Sequence, residues 1–248
     1  MALFDLFPRR KDARADVSAT RSALQQARDP QGRTDAVTAL IQRILALGLD
    51  GRGFFKGAAR LAEDALAAHH GDAERAIDAL ARGGIRTAAG GGFVTSLGGF
   101  VTMPVAIPVN VLEFYVLATR TAGAIAKLRG YDIADPTIRT AILLTLVGSK
   151  PDDILNKAGI TLGSSTLGAL ASRGLPDAAV MVLNKAVGFR LLASVGATTL
   201  ARFGRAVPLL GGVVGALADG ALLSRIAREA RREFPAVPAE RHRHWGVR

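Results

Sequence analysis

The chain has no cysteine, which removes disulfides, thiolate metal ligands and a cysteine nucleophile from any mechanism. Aromatic residues make up only 5% of it, with Trp245 the single tryptophan. The interleaved basic and aromatic platform that holds single-stranded nucleic acid is therefore missing, and no RNP-like or zinc-finger spacing is present. Acidic residues are few beside basic ones, 21 against 32, giving a formal net charge of +11. Such an excess favours an anionic partner, and with nucleic acid disfavoured that partner is the acidic face of a bilayer or its lipids. Arg far outnumbers Lys, so a compositional bias toward arginine is the competing explanation of the charge. The excess thickens only at the ends, at Arg9, Arg10 and Lys11, and again at Arg225, Arg228, Arg231, Arg232, Arg241, Arg243 and Arg248.

What is present is apolar side chain, 49% of 248 residues, enough to bury one core with flexible ends on either side. Residues 1–35 read as a basic, amphipathic tail: Leu3, Phe4, Leu6 and Phe7 precede the basic cluster, in a run too short for a signal peptide. That run is either a membrane contact, through Leu3, Phe4 and Phe7, or part of a disordered tail. Residues 36–235 read as the folded domain and 236–248 as a disordered basic tail. Helical spacing runs through Ala39, Leu40, Ile44 and Leu45 until Gly51 and Gly53 interrupt it. A second helix is expected from Phe54 and Phe55 through Leu66, closing at His69-His70-Gly71. Asp72 is placed to cap a third, with Ala76, Ile77 and Leu80 on one face. The fold class expected is all-α, a single multi-helix domain with close-packed glycine-rich helices around 88–108 and 208–220.

From Thr87 to Leu112 no residue is charged, a length that would cross a hydrocarbon core of about 30 Å if helical throughout. Five glycines and the prolines Pro104 and Pro108 interrupt it, and each proline removes an amide donor and disfavours helix before it. A bilayer crossing, a buried or re-entrant helical hairpin, and a glycine-rich loop all remain open, with Phe93 and Phe100 as membrane contacts if the run inserts. Beyond it, Asn110, Glu113, Arg120 and Lys127 fall on one stripe of an otherwise apolar helix that Gly130 ends. The stripe is either the solvated edge of a core helix or the lining of a polar crevice. Asp135-Pro136 has the cap-then-proline form of a helix start, and Pro208 opens a last long helix that Phe234-Pro235 stops. Near its start Gly211, Gly215 and Asp219, and Gly212, Ala216 and Gly220, repeat every four residues. Such rows let another backbone come close, within the chain or in an oligomer through Gly211, Gly212 and Gly215.

Catalytic signatures fail one by one. Gly163-Ser164-Ser165-Thr166-Leu167 misses the nucleophile elbow because Leu167 stands where glycine is needed. His69, His70, His242 and His244 lack metal-site spacing. Gly51-Arg52-Gly53 is not followed by a correctly spaced third glycine, and no Walker-type loop exists. No catalytic residue, metal or cofactor is expected. The informative polar residues are those set in apolar helices: Glu113, Arg120, Lys185, Arg190 and Asp219. Burying an unpaired charge is costly, so they either form structural ion pairs or line a crevice for a lipid head group. With Asn110 and Arg139 they make up the candidate ligand-binding set, Arg120 and Arg190 serving as anion contacts.

Several ordered motifs carry a family resemblance. They are Gly92-Phe93-Val94-Thr95, Gly98-Gly99-Phe100, Pro104 to Asn110, Gly130-Tyr131-Asp132 with Asp135-Pro136 and Arg139, Gly188 to Leu192, and Val207-Pro208 to Gly215 with Asp219. Over roughly residues 36–235 the chain resembles the EcsC family, named from a bacterial operon that encodes an ATP-driven exporter. The resemblance implies no catalytic residues; it implies a polar framework of Asn110, Asp132, Asp135, Arg139, Arg190 and Asp219. The function expected is a peripheral or partly inserted membrane-associated protein binding lipid or a membrane-protein partner, cytoplasmic and at the inner face of the cell membrane. Two alternatives stand beside it: a soluble hydrolase or lipid-processing enzyme using Glu113 or Asp219, and a soluble helical scaffold.

Overall fold

The computed structural model describes residues 39, 41–52, 55–97, 103–146, 167, 180, 187 and 208–237. Residues 41–45 are α-helical and pass into a π-helical turn, Ala46–Asp50, together α1. Two-residue strands β1 (Gly51–Arg52) and β2 (Phe55–Lys56) pair antiparallel, Gly51 opposite Lys56. The helices α2 (Ala58–Ala68), α3 (Ala73–Leu97), α4 (Met103–Leu128), α5 (Pro136–Leu146) and α6 (Pro208–Glu233) follow. The described residues are thus all-α in class, with one minimal hairpin. That hairpin is why the second helix starts at Ala58 rather than at the phenylalanines: Phe55 is held in a strand pair, and Gly57 is extended (ψ 174°) ahead of the helix.

Local chemistry sets most boundaries. At the end of α2, His70 (φ 54°) and Gly71 (φ 84°) turn left-handed, and the Gly71 N–H donates to the Leu66 carbonyl, the closure that leaves a helix C-terminus satisfied. Asp72 accepts from the Arg75 N–H at 3.0 Å and Asp135 from the Thr137 N–H at 2.7 Å, each absorbing an orphan amide of the helix it starts. Gly130 (φ 92°) closes α4, with the Tyr131 N–H reaching back to Ala126 at 3.0 Å. The two prolines expected to delay α4 do not: the helix begins at Met103. Pro104 falls in the first turn, where its missing N–H would have had no partner, and Pro108 costs one internal hydrogen bond.

Helix α4 is the central element, packing against α1, α2, α3, α5 and α6. Its Ala118, Ala122, Ala124, Ile125 and Ala126 are fully buried. Thr119 and Thr121 are buried too, their hydroxyls donating to the carbonyls of Tyr115 (2.7 Å) and Leu117 (2.9 Å), so neither leaves an unmet donor in the core. Helix α3 runs antiparallel to α4, with Glu74 bonded to Arg129 just past its end and Gly84 against Thr121. It also runs antiparallel to α6, because Asp78 pairs with Arg231, Gly84 meets Leu223, and Ala89 lies beside Gly220. The C-terminus of α3 and the N-termini of α4 and α6 therefore lie at one end of this three-helix group.

Close approach is concentrated at a few glycines. A Cβ on Gly123 would stand 2.4 Å from the Leu49 side chain and 3.0 Å from that of Ala58; one on Gly48 would stand 2.9 Å from Thr119. Gly84 and Gly220 bring α6 against α3. Gly90 and Gly91, inside the run expected to pack closely, differ: a Cβ there would meet nothing within 4 Å. A side chain at either position would therefore stand in open space. Gly123→Ala should accordingly destabilise by about 1–3 kcal/mol through overpacking, and Gly90→Ala should stabilise by roughly 0.5–1 kcal/mol through helix propensity. Thermal or urea unfolding of the two variants distinguishes the sites by sign.

The expected tail at 1–35 lies outside the described residues. Of residues 236–248 only Ala236 and Val237 are described, and Val237 is tied down: its N–H donates to the Arg129 carbonyl at 2.9 Å and its side chain packs on the core.

Candidate functional site

The uncharged run from Thr87 to Leu112 is divided between the end of α3 and the start of α4, with residues 98–102 outside the described set. Two antiparallel helices flanking that gap give it the form of a helical hairpin. Among the described residues no helix is long and apolar enough to cross a membrane.

The polar stripe of α4 marks that helix's least buried side. Glu113 and Lys127 are exposed and Arg120 is half-buried between them, while residues 121–126 are all buried. The side chain of Asn110 is not among those described. Glu113 combines an exposed side chain with a carboxyl whose pKa is pushed up by lost hydration, the condition of a group at a surface rim, where apolar chain crowds one side and water reaches the other. Arg120 has a buried Nε with no hydrogen-bond partner, and burial pulls its pKa down, although a guanidinium stays charged throughout the working pH range.

The remaining candidates have other surroundings. Arg139 is committed to structure: its guanidinium ion-pairs with Asp50 and its Nε donates to the Ile133 carbonyl at 3.0 Å, fixing α5 against the end of α1. Asp132 and Asp135 serve their own loop, accepting from the Ala134 and Thr137 amides. Asp219 is partly buried and has a partner. Gly215 is buried within the chain. Leu3, Phe4, Phe7, Phe100, Lys185 and Arg190 lie outside the described residues, as do the side chain of Phe93 and the surroundings of Gly211 and Gly212. Of the expected set Glu113, Arg120, Arg139 and Asp219 are described, and of these Arg139 is turned to Asp50 rather than to the α4 stripe. Among the described residues no group of three His, Asp or Glu side chains is placed to hold a metal ion.

What the structure does gather is a surface on α3 and α6. On α6, Leu217, Ala218, Ala221 and Leu222 are exposed, Leu217 to 67%, and the same side continues into exposed Arg225, Arg228 and Arg232. On α3, Arg75, Arg82, Arg86 and Gly90 form an exposed stripe at helical spacing. Arg232 is engaged by Glu229 and Glu233, Arg75 by Asp72 and Arg231 by Asp78. Arg86, Arg225 and Arg228 have no ion-pair partner among the described residues. The antiparallel register sets them beside Arg82 in one basic band, with apolar surface continuing toward the uncharged helix ends.

Sequence reasoning missed Glu233. Its carboxylate is 3% exposed and accepts from the Leu167 N–H at 2.8 Å, tying the end of α6 to a distant part of the chain. Nothing local signals this, since Glu233 sits in a basic run and its partner is a backbone amide.

The Glu113 shift carries a pH prediction. A carboxyl whose pKa is raised on folding stabilises least where it must be ionised, so wild-type stability falls as pH rises from the ordinary carboxylate range through the raised value. Glu113→Gln removes the dependence: in acid the two proteins unfold alike, and at neutral pH the variant is slightly more stable in urea.

No family model matches this chain, and neither a curated protein nor a solved structure matches it.

Proposed function

We propose that this chain is an EcsC-like peripheral membrane protein that binds the anionic surface of a bilayer, acting from the cytoplasmic face, with no catalytic step of its own. One observation carries the reading. The exposed side of α6 passes from Leu217, Ala218, Ala221 and Leu222 to Arg225 and Arg228, beside Arg82 and Arg86 of α3. An exposed apolar patch bordered by cations suits a bilayer interface, where acyl chains receive the one and anionic head groups the other. Arginines that served only folding would be expected to pair as Arg139 and Arg231 do, whereas Arg86, Arg225 and Arg228 point their charge at solvent.

Co-sedimentation with vesicles tests it. The purified chain should pellet with phosphatidylserine-containing vesicles at low salt, be partly released at physiological ionic strength as screening shortens the field, and leave pure phosphatidylcholine vesicles largely unbound. Protein that stays in the supernatant with anionic vesicles at low salt removes the reading.

A further inference from the structure

Every carboxylate on α3 and α6 already has a partner. Glu74 is held by Arg129 and Asp78 by Arg231; Glu229 and Glu233 hold Arg232, and Asp219 has a partner of its own. Arg82, Arg86, Arg225 and Arg228 are left over, exposed and without an ion pair among the described residues. Two cross-helix contacts fix where they stand, Gly84 on Leu223 and Asp78 on Arg231. Measured from the Gly84–Leu223 level at about 1.5 Å per residue, Arg82 and Arg225 lie about 3 Å toward the Asp78–Arg231 pair and Arg228 about 7.5 Å, while Asp78 and Arg231 themselves lie at about 9 and 12 Å. Arg86 lies about 3 Å to the other side. Of the four, Arg82 and Arg228 border the seam between the helices: Arg82 is one turn from Asp78 on the same row, and Arg228 one turn from Arg231. The Asp78 carboxyl registers the first of these. Its hydrogen bond to Arg231 holds it below the ordinary range, and the charge of Arg82 adds to the effect. Ser224, half-buried and one turn before Arg228, brings a hydroxyl to the same seam.

Guanidinium groups gathered without a counter-charge repel one another, and a ligand with more than one negative charge offsets several of them together. A phosphate monoester carries about −1.5 to −2 charges at neutral pH and three acceptor oxygens. The head group of phosphatidylserine offers instead a singly charged phosphodiester and a carboxylate that stands beside an ammonium. Guanidinium forks grip phosphate oxygens two at a time, which a lysine ammonium cannot do. We infer that the α3–α6 seam at Arg82 and Arg228, with Ser224 beside them and Arg86 and Arg225 at its margins, binds the phosphate monoester head group of a lipid such as phosphatidic acid. The lipid source follows from the surface that adjoins the seam on α6, where exposed Ala221, Ala218 and Leu217 can meet the glycerol and acyl part. The inference rests on the membrane reading above and names the lipid that the same face selects.

The test compares vesicles of phosphatidic acid and of phosphatidylserine, each diluted in phosphatidylcholine to equal electrophoretic mobility, so that net surface charge is matched. Wild-type protein should bind the phosphatidic acid vesicles more tightly by about tenfold, the scale of one charge-assisted contact. The double variant Arg82→Lys with Arg228→Lys keeps both charges and removes both forks. Its preference should fall to about twofold or less, while its affinity for phosphatidylserine and its thermal midpoint stay those of wild type. Equal binding of the wild type to the two vesicles, or a preference kept by the lysine variant, overturns the head-group site and leaves surface binding standing. Failure to bind either vesicle overturns the membrane reading with it. Glycerol 3-phosphate at millimolar concentration brings the same phosphate without a bilayer and should leave the protein on phosphatidic acid vesicles. Complete release by it would make a soluble phosphate ester the occupant and overturn the lipid source.

Discussion

Phe234→Ala is expected to cost about 3–5 kcal/mol of folding stability, the range for deleting a buried aromatic side chain. Phe234 is fully buried immediately after α6 and meets Tyr131 edge to face, with ring centroids 5.1 Å apart and planes at 75°, a geometry that contributes beyond the area covered. Its surroundings give little scope for collapse into the space left. Its N–H is held by the Ala230 carbonyl, Val237 is bonded to Arg129, and Glu233 is tied to Leu167. The cavity would open where the end of α6, the loop after Gly130 and the segment at Leu167 meet, so the variant should lose cooperativity as well as midpoint in urea. Phe234→Leu keeps much of the volume and should cost markedly less. Equal losses for the two would mean that the ring is not a packing anchor.

Removing the charges of Arg86, Arg225 and Arg228 together, as glutamine, is expected to weaken binding to phosphatidylserine vesicles by about a hundredfold at low salt. A cation near an anionic bilayer surface contributes about 1 kcal/mol, and each 1.4 kcal/mol is about tenfold in affinity. All three side chains are exposed and lack an ion-pair partner among the described residues, so folding stability should stay within about 0.5 kcal/mol of wild type. The difference should shrink as salt rises, because the field is then screened for both proteins. An unchanged affinity at low salt would show that the α3–α6 face is not the contact. Lowering it only by substituting the paired Arg139 would point to damage of the fold instead.

What could be read from the sequence was local. Asp72, Gly130 and the Asp135-Pro136 start were legible because a cap or a left-handed glycine acts within a few residues. The stripe of Glu113, Arg120 and Lys127 was legible as a periodicity, though spacing alone left both an edge and a crevice open. The pairing of Arg139 with Asp50, the Glu233 carboxylate on Leu167 and the strand pair at Phe55 were not legible, since each joins residues whose proximity only the packed chain creates. Glycine density did not tell which glycines matter: among the described ones, the contacts a methyl group would violate are at Gly48, Gly57, Gly84 and Gly123. The α3–α6 surface was half legible: the uncharged run stood out, but its place beside α6 depends on the antiparallel register.

The pairing of α3 with α6 has a consequence for synthesis. Asp78 and Arg231 are 153 residues apart, so α3 is made long before the helix that covers it. At about 5–20 residues per second, translation leaves the α3 side of that contact bare for roughly ten to thirty seconds. During that interval Ile85 and Ala89, which Gly220 later covers, are open to other contacts. Helix α6 therefore docks onto α3 and α4 only after both have been made.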